Sequence, residues 1–323
     1  MHAALDTTES RSVTTRAAPS HYRATMALVL ESATLDRYET DGFLLLPGHI
    51  DAEWLGRLRQ AMDRLVDESR TAEPGDQRFD TEPGHCADRP RLRRINAPVD
   101  LDPTFAAFAL DGPATDLAEA LLGPNVRFHH SKLNIKWSDG GEEVKWHQDI
   151  QFWPHTDFSP LTIGVYLDDV LDDDIGPMGV VPGSHTGELF DLHRPDGSWS
   201  GALSDADTTR AAVDRAVYLK GPAGSVTVHN CCCVHGSAHN RSNRSRPLLL
   251  QTYSRADSYP LLGVGTNGKA GRGAHQLVRG SAPATLTIEG RTMPTAPDWY
   301  NSSYQSIFSV QQAASDGSEA STR

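Results

Sequence analysis

Two hydrophobic periods divide the chain. In its N-terminal part Trp54, Leu58, Met62 and Leu65 recur every three or four positions, with Arg57, Arg59, Asp63 and Arg64 between them. That spacing predicts a helix with one core-facing stripe, and Asp51 just ahead of it suits an N-cap. A shorter helix is expected over Leu35–Thr40, followed by a buried strand over 42–47 that a proline closes. Thr71–Arg94 is polar and carries Pro74, Gly75, Pro83, Gly84 and Pro90, so it reads as one long loop, lid-like or simply mobile. From Val126 the period shortens. Strands are expected at Val126–Trp137, Val144–Phe152, Leu161–Leu167, Gly179–Val181, Ala216–Leu219, Ser225–His229 and Leu248–Tyr253. Many short strands after a helical start predict a mainly β fold with flanking helices, a sandwich or barrel. With no internal repeat and no clear linker, one domain is expected over 26–312. A disordered extension at 1–25 would precede it and a frayed tail at 313–323 would follow.

Composition narrows the function without choosing it. The 323 residues are 38% hydrophobic and 22% charged, enough for a sizeable core without staples. Thirty basic against 42 acidic side chains leave a charge of −12 and no basic stripe, which disfavours nucleic acid and anionic membranes as partners. No apolar run approaches a membrane span. Four cysteines, three of them consecutive, make no disulfide framework, so a reducing cytoplasm is the expected compartment. Oligomeric state leaves no mark on the sequence.

The chemistry gathers at Trp146-His147-Gln148-Asp149-Ile150. On a strand His147 and Asp149 would share a face, presenting an imidazole beside a carboxylate. One more imidazole would complete a 2-His-1-carboxylate set, which suits non-haem Fe(II) with open positions. A second His-x-Asp pair, His155 and Asp157, lies between Pro154 and Pro160, where a loop holds ligands less rigidly; His155 reads as loop structure or pocket wall. His235 is the preferred third ligand, at a strand end before a polar turn, with Gly236 allowing close approach of backbone or ligand. His229 and His239 are its rivals. Cys231–Cys233, being adjacent, would alternate faces on a strand and cannot converge on one metal, so they read as small buried hydrophobes.

Taken in order, His147-Gln148-Asp149, Gly176-Pro177-Met178, Pro182-Gly183-Ser184-His185, His235-Gly236-Ser237 and Arg246 resemble the phytanoyl-CoA dioxygenase family over about Leu35 to Tyr259. That resemblance implies a double-stranded β-helix (jelly-roll) core and an Fe(II)- and 2-oxoglutarate-dependent oxygenase, in a family that includes ectoine hydroxylase and bacterial amino-acid hydroxylases. It implies His147, Asp149 and His235 as catalytic iron ligands, Arg246 as the grip on the distal carboxylate of 2-oxoglutarate, and Ser237 and Asn134 as further co-substrate contacts. A planar, permanently charged donor for a buried dicarboxylate is independently reasonable for Arg246, whereas Arg241 and Arg244 fall in a polar turn. Two features depart from the family: Ile175-Gly176 stands where an Asn-Gly pair is common, and the cysteine run is unusual. Related halogenases replace the carboxylate ligand with a small residue, so Asp149 disfavours halogenation.

The implied reaction hydroxylates an unactivated C–H bond of a small molecule with O2, releasing succinate and CO2. Desaturation, epoxidation or cyclisation at the same iron are alternatives, as are a non-catalytic jelly-roll binding protein and a cupin-type isomerase. An amino-acid-like or natural-product substrate is expected, since no basic cluster suggests CoA or a nucleotide. Trp146, Phe152, Trp153 and His155 are candidate pocket aromatics, and Arg255 with Asp257 could meet a zwitterion.

Overall fold

The computed structural model describes residues 28–73, 75–138, 140–262, 274–298 and 304–315. The extension expected at 1–25 and the tail beyond 315 lie outside them; residues 313–315 close a helix, Ile307–Ser315. Helix α1 (Ser32–Asp41), strand β1 (Phe43–Leu46) and helix α2 (Ala52–Ser69) open the described chain. The Asp51 carboxylate caps α2 by accepting the Trp54 N–H at 2.8 Å. Leu58 and Leu65 are buried, with Trp54 and Met62 packed beside them, as the periodic spacing predicts.

The segment 71–94 is not a single loop. It contains β2 (Phe79–Thr81) and leads into β3 (Leu92–Asn96), which pair with each other at the edge of a sheet. Phe79, Leu92 and Ile95 are its buried apolar anchors, too sparse among charged residues and prolines to register as a period. Three short helices follow, α3 (Pro98–Leu101), α4 (Pro103–Asp111) and α5 (Pro113–Leu122), each begun by a proline whose missing N–H costs a first turn nothing. Apolar residues occupy almost every side of α4, which hides its helical period.

The remaining strands are β4 (Val126–Lys136), β5 (Val144–His147), β6 (Leu161–Tyr166), β7 (Met178–Val180), β8 (Val217–Leu219), β9 (Val226–Asn230), β10 (His235–Ser237) and β11 (Arg246–Arg255). The major sheet runs β1-β9-β6-β11-β4-β3-β2, and Leu277–Arg279 adds to β4; the minor sheet runs β5-β10-β7-β8. The two antiparallel sheets form the jelly-roll core. The strand expected over Val144–Phe152 is cut short at His147, because Asp149–Gln151 turns into a 3-10 helix.

Alternation along the major sheet separates two environments. Leu133, Ile135, Ile163, Val165, Val228 and Leu249 face the helices and share one core with Leu58, Phe105, Phe108 and Leu117. The intervening residues, among them Asn134, Thr162, His229, Arg246 and Leu248, line a cavity between the sheets. Register fixes this division, with Arg246 opposite Lys136 and Leu248 opposite Asn134; a slip of one residue would send the polar set into the helix-facing core. Among the described residues no helix is long and apolar enough to cross a membrane.

Candidate metal centre

His147 ends β5 and His235 begins β10, and the two are direct cross-strand partners. Their rings lie 4.2 Å apart between centroids. Asp149 joins them by a route that the strand argument did not foresee. It does not share a strand face with His147 but sits on the 3-10 turn, which the Ile150 N–H pins to the Cys231 carbonyl at 3.0 Å. The intervening Gln148 is fully buried and acts as an anchor. Its amide donates to the carbonyls of Cys232 (2.8 Å) and Glu188 (3.0 Å), and its carbonyl accepts the Phe190 N–H at 3.0 Å. One donor atom from each of His147, Asp149 and His235 then falls within 4.8 Å of the others. Asp149 Oδ1 is 3.6 Å from His147 Nε2, and Oδ2 is 4.0 Å from His235 Nε2.

The backbone sets the tautomers. His147 Nδ1 lies 2.8 Å from the Lys145 carbonyl and His235 Nδ1 lies 3.0 Å from the Cys233 carbonyl. A carbonyl only accepts, so each Nδ1 carries a hydrogen and each Nε2 is the nitrogen turned toward the place a metal would take. Burial, followed by the neighbouring His147 and His229, pushes the His235 imidazole well below its usual range and keeps it neutral. Burial pushes the Asp149 carboxyl up, but the Lys132 ammonium and the adjoining His147 and His229 imidazoles outweigh it and hold Asp149 well below the carboxylate range. Two imidazoles presenting Nε2 and an anionic carboxylate on one side of a cavity fit a divalent transition metal whose other positions stay open.

His229, a rival ligand on sequence grounds, takes another place. Its Nε2 lies 3.4 Å from Asp149 Oδ2, and its ring is 4.3 Å from that of His235. It supports the carboxylate from behind, a role that its position at the inner face of β9 makes possible. His239 is exposed in the turn after β10 and lies away from the centre.

The cavity reaches from the triad to Arg246, with Ser237 and Asn134 on its wall. Arg246 is 2% exposed and has the Tyr166 hydroxyl beside it, yet among the described residues its Nε and Nη1 have no hydrogen-bond partner. Arg244, by contrast, is ion-paired at the surface with Asp172 at 2.7 Å. The Lys136 ammonium, pushed down to about 6 by burial and by Arg246, donates to the Ser237 and Ala238 carbonyls and braces this wall. Gly236 serves backbone approach, since a Cβ there would lie 3.0 Å from the Val144 carbonyl and 3.1 Å from the Trp146 ring. Gly176 adopts φ 70° against the Ala238 carbonyl, which keeps the Ile175-Gly176 turn tight without an asparagine. Two charged cavity residues escaped the sequence reading: Arg94, hidden in the supposed loop, and Lys132, two residues before Asn134 and therefore on the same strand face.

His155 does not line this cavity. Its Nδ1 is bonded to the Trp153 carbonyl at 2.8 Å, and it packs with Trp153, His129 and His130 in a separate ring cluster. Trp153 and Trp146 are likewise packing residues, while Phe152 is half-exposed and edge-on to His147. Arg255 is tied at the surface to Asp157 and Asp257. Cys231, Cys232 and Cys233 are all buried, in a turn after β9, and not on a strand.

The buried histidines give the fold an acid limit. Burial, with help from His130 and His155, pushes His129 well below its usual range, and burial with Arg127 pushes His275 down to about 4. In the unfolded chain these imidazoles titrate near 6.5. Their contribution is therefore complete above that pH and is lost as the pH falls toward the folded values. Going from pH 7 to pH 5 should cost about 2 kcal/mol for each imidazole. The urea midpoint is expected to drop accordingly, and equal midpoints at the two pH values would contradict this.

Comparison with known proteins supplies context for this geometry. The family model described as phytanoyl-CoA dioxygenase matches residues 38–248. A probable alpha-ketoglutarate-dependent hypophosphite dioxygenase of Stutzerimonas stutzeri is 37% identical over 179 residues, 55% of this chain and 62% of that protein. The L-proline trans-4-hydroxylase of Streptomyces griseoviridis is 32% identical over 242 residues, 69% of this chain and 86% of that protein. The crystal structure of EctD from S. alaskensis with 2-oxoglutarate and 5-hydroxyectoine superposes with a TM-score of 0.61 at 23% identity, covering 78% of this chain and 86% of that one.

Proposed function

The chain belongs to the phytanoyl-CoA dioxygenase family, and from that premise we propose that it is an Fe(II)- and 2-oxoglutarate-dependent dioxygenase hydroxylating an unactivated C–H bond of a small molecule. In this reading His147, Asp149 and His235 hold the iron, and succinate and CO2 leave with the hydroxylated product. The observation that carries it is Arg246: a buried guanidinium with two unpartnered nitrogens, in the same cavity as the triad. Such a group is costly to bury alone. The distal carboxylate of 2-oxoglutarate supplies the planar, bidentate acceptor that it lacks.

Iron, when bound, supplies the activation of O2 coupled to decarboxylation of the keto-acid. The chain's own residues do the rest. The two backbone-oriented imidazoles and Asp149 confine the metal to one side of the cavity and leave the other side to co-substrate and O2. Arg246 fixes the far end of the keto-acid, with Ser237 and Asn134 as polar contacts. Met178, Leu248 and Leu250 give the cavity apolar walls that exclude water.

The test is succinate formation by anaerobically purified protein given Fe(II), 2-oxoglutarate and then O2. A panel containing L-proline, ectoine and hypophosphite, after the relatives, would serve as substrates. Slow succinate release without substrate, faster release with one panel member, and a product heavier by one oxygen atom are expected. A product lighter by two hydrogens would instead identify a desaturase. Absence of succinate in every case would contradict the proposal.

A further inference from the structure

The cavity carries more positive charge than iron and 2-oxoglutarate account for. Its lining includes three cations, Arg94, Lys132 and Arg246, against one carboxylate, Asp149. Leaving the imidazoles out of the count, that is an excess of two; ferrous iron adds two, and the 2-oxoglutarate dianion cancels two. Two positive charges remain inside a partly desolvated chamber, where uncompensated charge is costly.

Of the two surplus charges, Lys132 sits away from Arg246, whereas Arg94 lies between them and also borders a second cavity with Arg246 and the carboxylates Asp80 and Glu82. In the register of β11 on β4, Arg246 lies opposite Lys136 and Leu250 lies opposite Lys132. Four residues separate these positions, about 13 Å along the strand, so the two cations serve different ends of the cavity. Arg94 stands opposite Asn134 on β3 and donates its Nε to the Asn134 side-chain oxygen at 3.0 Å. Among the described residues no hydrogen bond or ion pair engages its Nη atoms or the Lys132 ammonium. Across the sheet His229 lies opposite Thr162, Thr162 opposite Thr252 and Thr252 opposite His130, so Lys132, two residues from His130, lies toward the His229 and Asp149 end of the cavity.

We propose that the substrate is a small oxyanion, a carboxylate or a phosphorus oxyacid, whose negative group Lys132 and Arg94 hold beside the metal centre. This rests on the dioxygenase reading and narrows it. A zwitterion with no net charge leaves the surplus in place, whereas an anion removes it. The three cations are far apart in the chain, which is why no basic cluster shows in the sequence.

The experiment is anaerobic calorimetry on the full chain loaded with Fe(II) and saturated with 2-oxoglutarate, titrated with propionate, methylphosphonate and neutral propionamide. At least one oxyanion should bind about tenfold or more tighter than propionamide, and the tighter arm tells a carboxylate site from a phosphorus oxyacid site. Lys132→Met should cut oxyanion affinity about tenfold more than it cuts 2-oxoglutarate affinity, and Lys132→Arg, which keeps the charge, should retain most of it. Oxyanions binding no better than propionamide would overturn the proposal even if no variant folds. Equal losses for oxyanion and 2-oxoglutarate in Lys132→Met would also overturn it, by placing Lys132 in the co-substrate site. Failure of the unaltered protein to bind 2-oxoglutarate would instead overturn the dioxygenase reading, and this inference with it.

Discussion

Asp149→Ala is expected to yield a folded chain that no longer retains Fe(II) and forms no succinate from 2-oxoglutarate. Asp149 is the anionic member of the triad and faces both imidazoles, at 3.6 and 4.0 Å. Without it only two imidazole nitrogens remain, and the nearby Lys132 charge then opposes a cation with nothing to offset it. The loss in iron affinity should be on the order of a thousandfold, beyond the roughly 10–100-fold that removing a supporting residue costs. His229→Ala removes such a support and should fall in that smaller range, which separates its role from that of a ligand. His147→Ala and His235→Ala should resemble Asp149→Ala. His155→Ala should leave iron content unchanged, since His155 belongs to the Trp153 ring cluster. Metal analysis after anaerobic loading and desalting measures all five. If His155→Ala loses iron and His147→Ala keeps it, the choice between the two His-x-Asp pairs is wrong.

Arg246→Ala should raise the KM for 2-oxoglutarate about a hundredfold or more while iron content changes little. Breaking a buried, hydrogen-bonded charge pair from one side costs about 3–5 kcal/mol, and each 1.4 kcal/mol is tenfold in affinity. Arg246→Lys should recover part of this, because a lysine supplies charge without the bidentate fork. Arg244→Ala serves as the control, for Arg244 is paired with Asp172 at the surface. Steady-state succinate formation against 2-oxoglutarate concentration gives the answer. A larger effect from Arg244→Ala than from Arg246→Ala would show that the co-substrate lies elsewhere.

Most of the frame was legible in the chain because burial repeats at the period of the element. Residues of β4, β6, β9 and β11 alternate between helix-facing core and cavity, and α2 shows its stripe plainly. Of the residues that the structure gathers at the cavity, His147, Asp149 and His235 were legible from spacing and strand context, and Ser237, Asn134 and Arg246 from the family resemblance. What stayed hidden depends on contacts distant in sequence. Strand β10 is three residues long, too short for a period, and exists because β5 and β7 flank it. The turn that carries Asp149 is held by Cys231 and by the Gln148 amide network, partners some 80 residues downstream among them. Arg94 belongs to the cavity only because β3 pairs with β4, a pairing masked by the prolines and charges around it.

The central claim is that one ferrous ion is held by two imidazoles and an aspartate, with the keto-acid anchored at Arg246. A crystal structure of the protein loaded anaerobically with Fe(II) and 2-oxoglutarate tests it most directly. The account predicts metal density bonded to His147, Asp149 and His235, with the distal carboxylate of 2-oxoglutarate against Arg246. Metal at the cysteine run or among His129, His130 and His155, or a keto-acid bound away from Arg246, would contradict it.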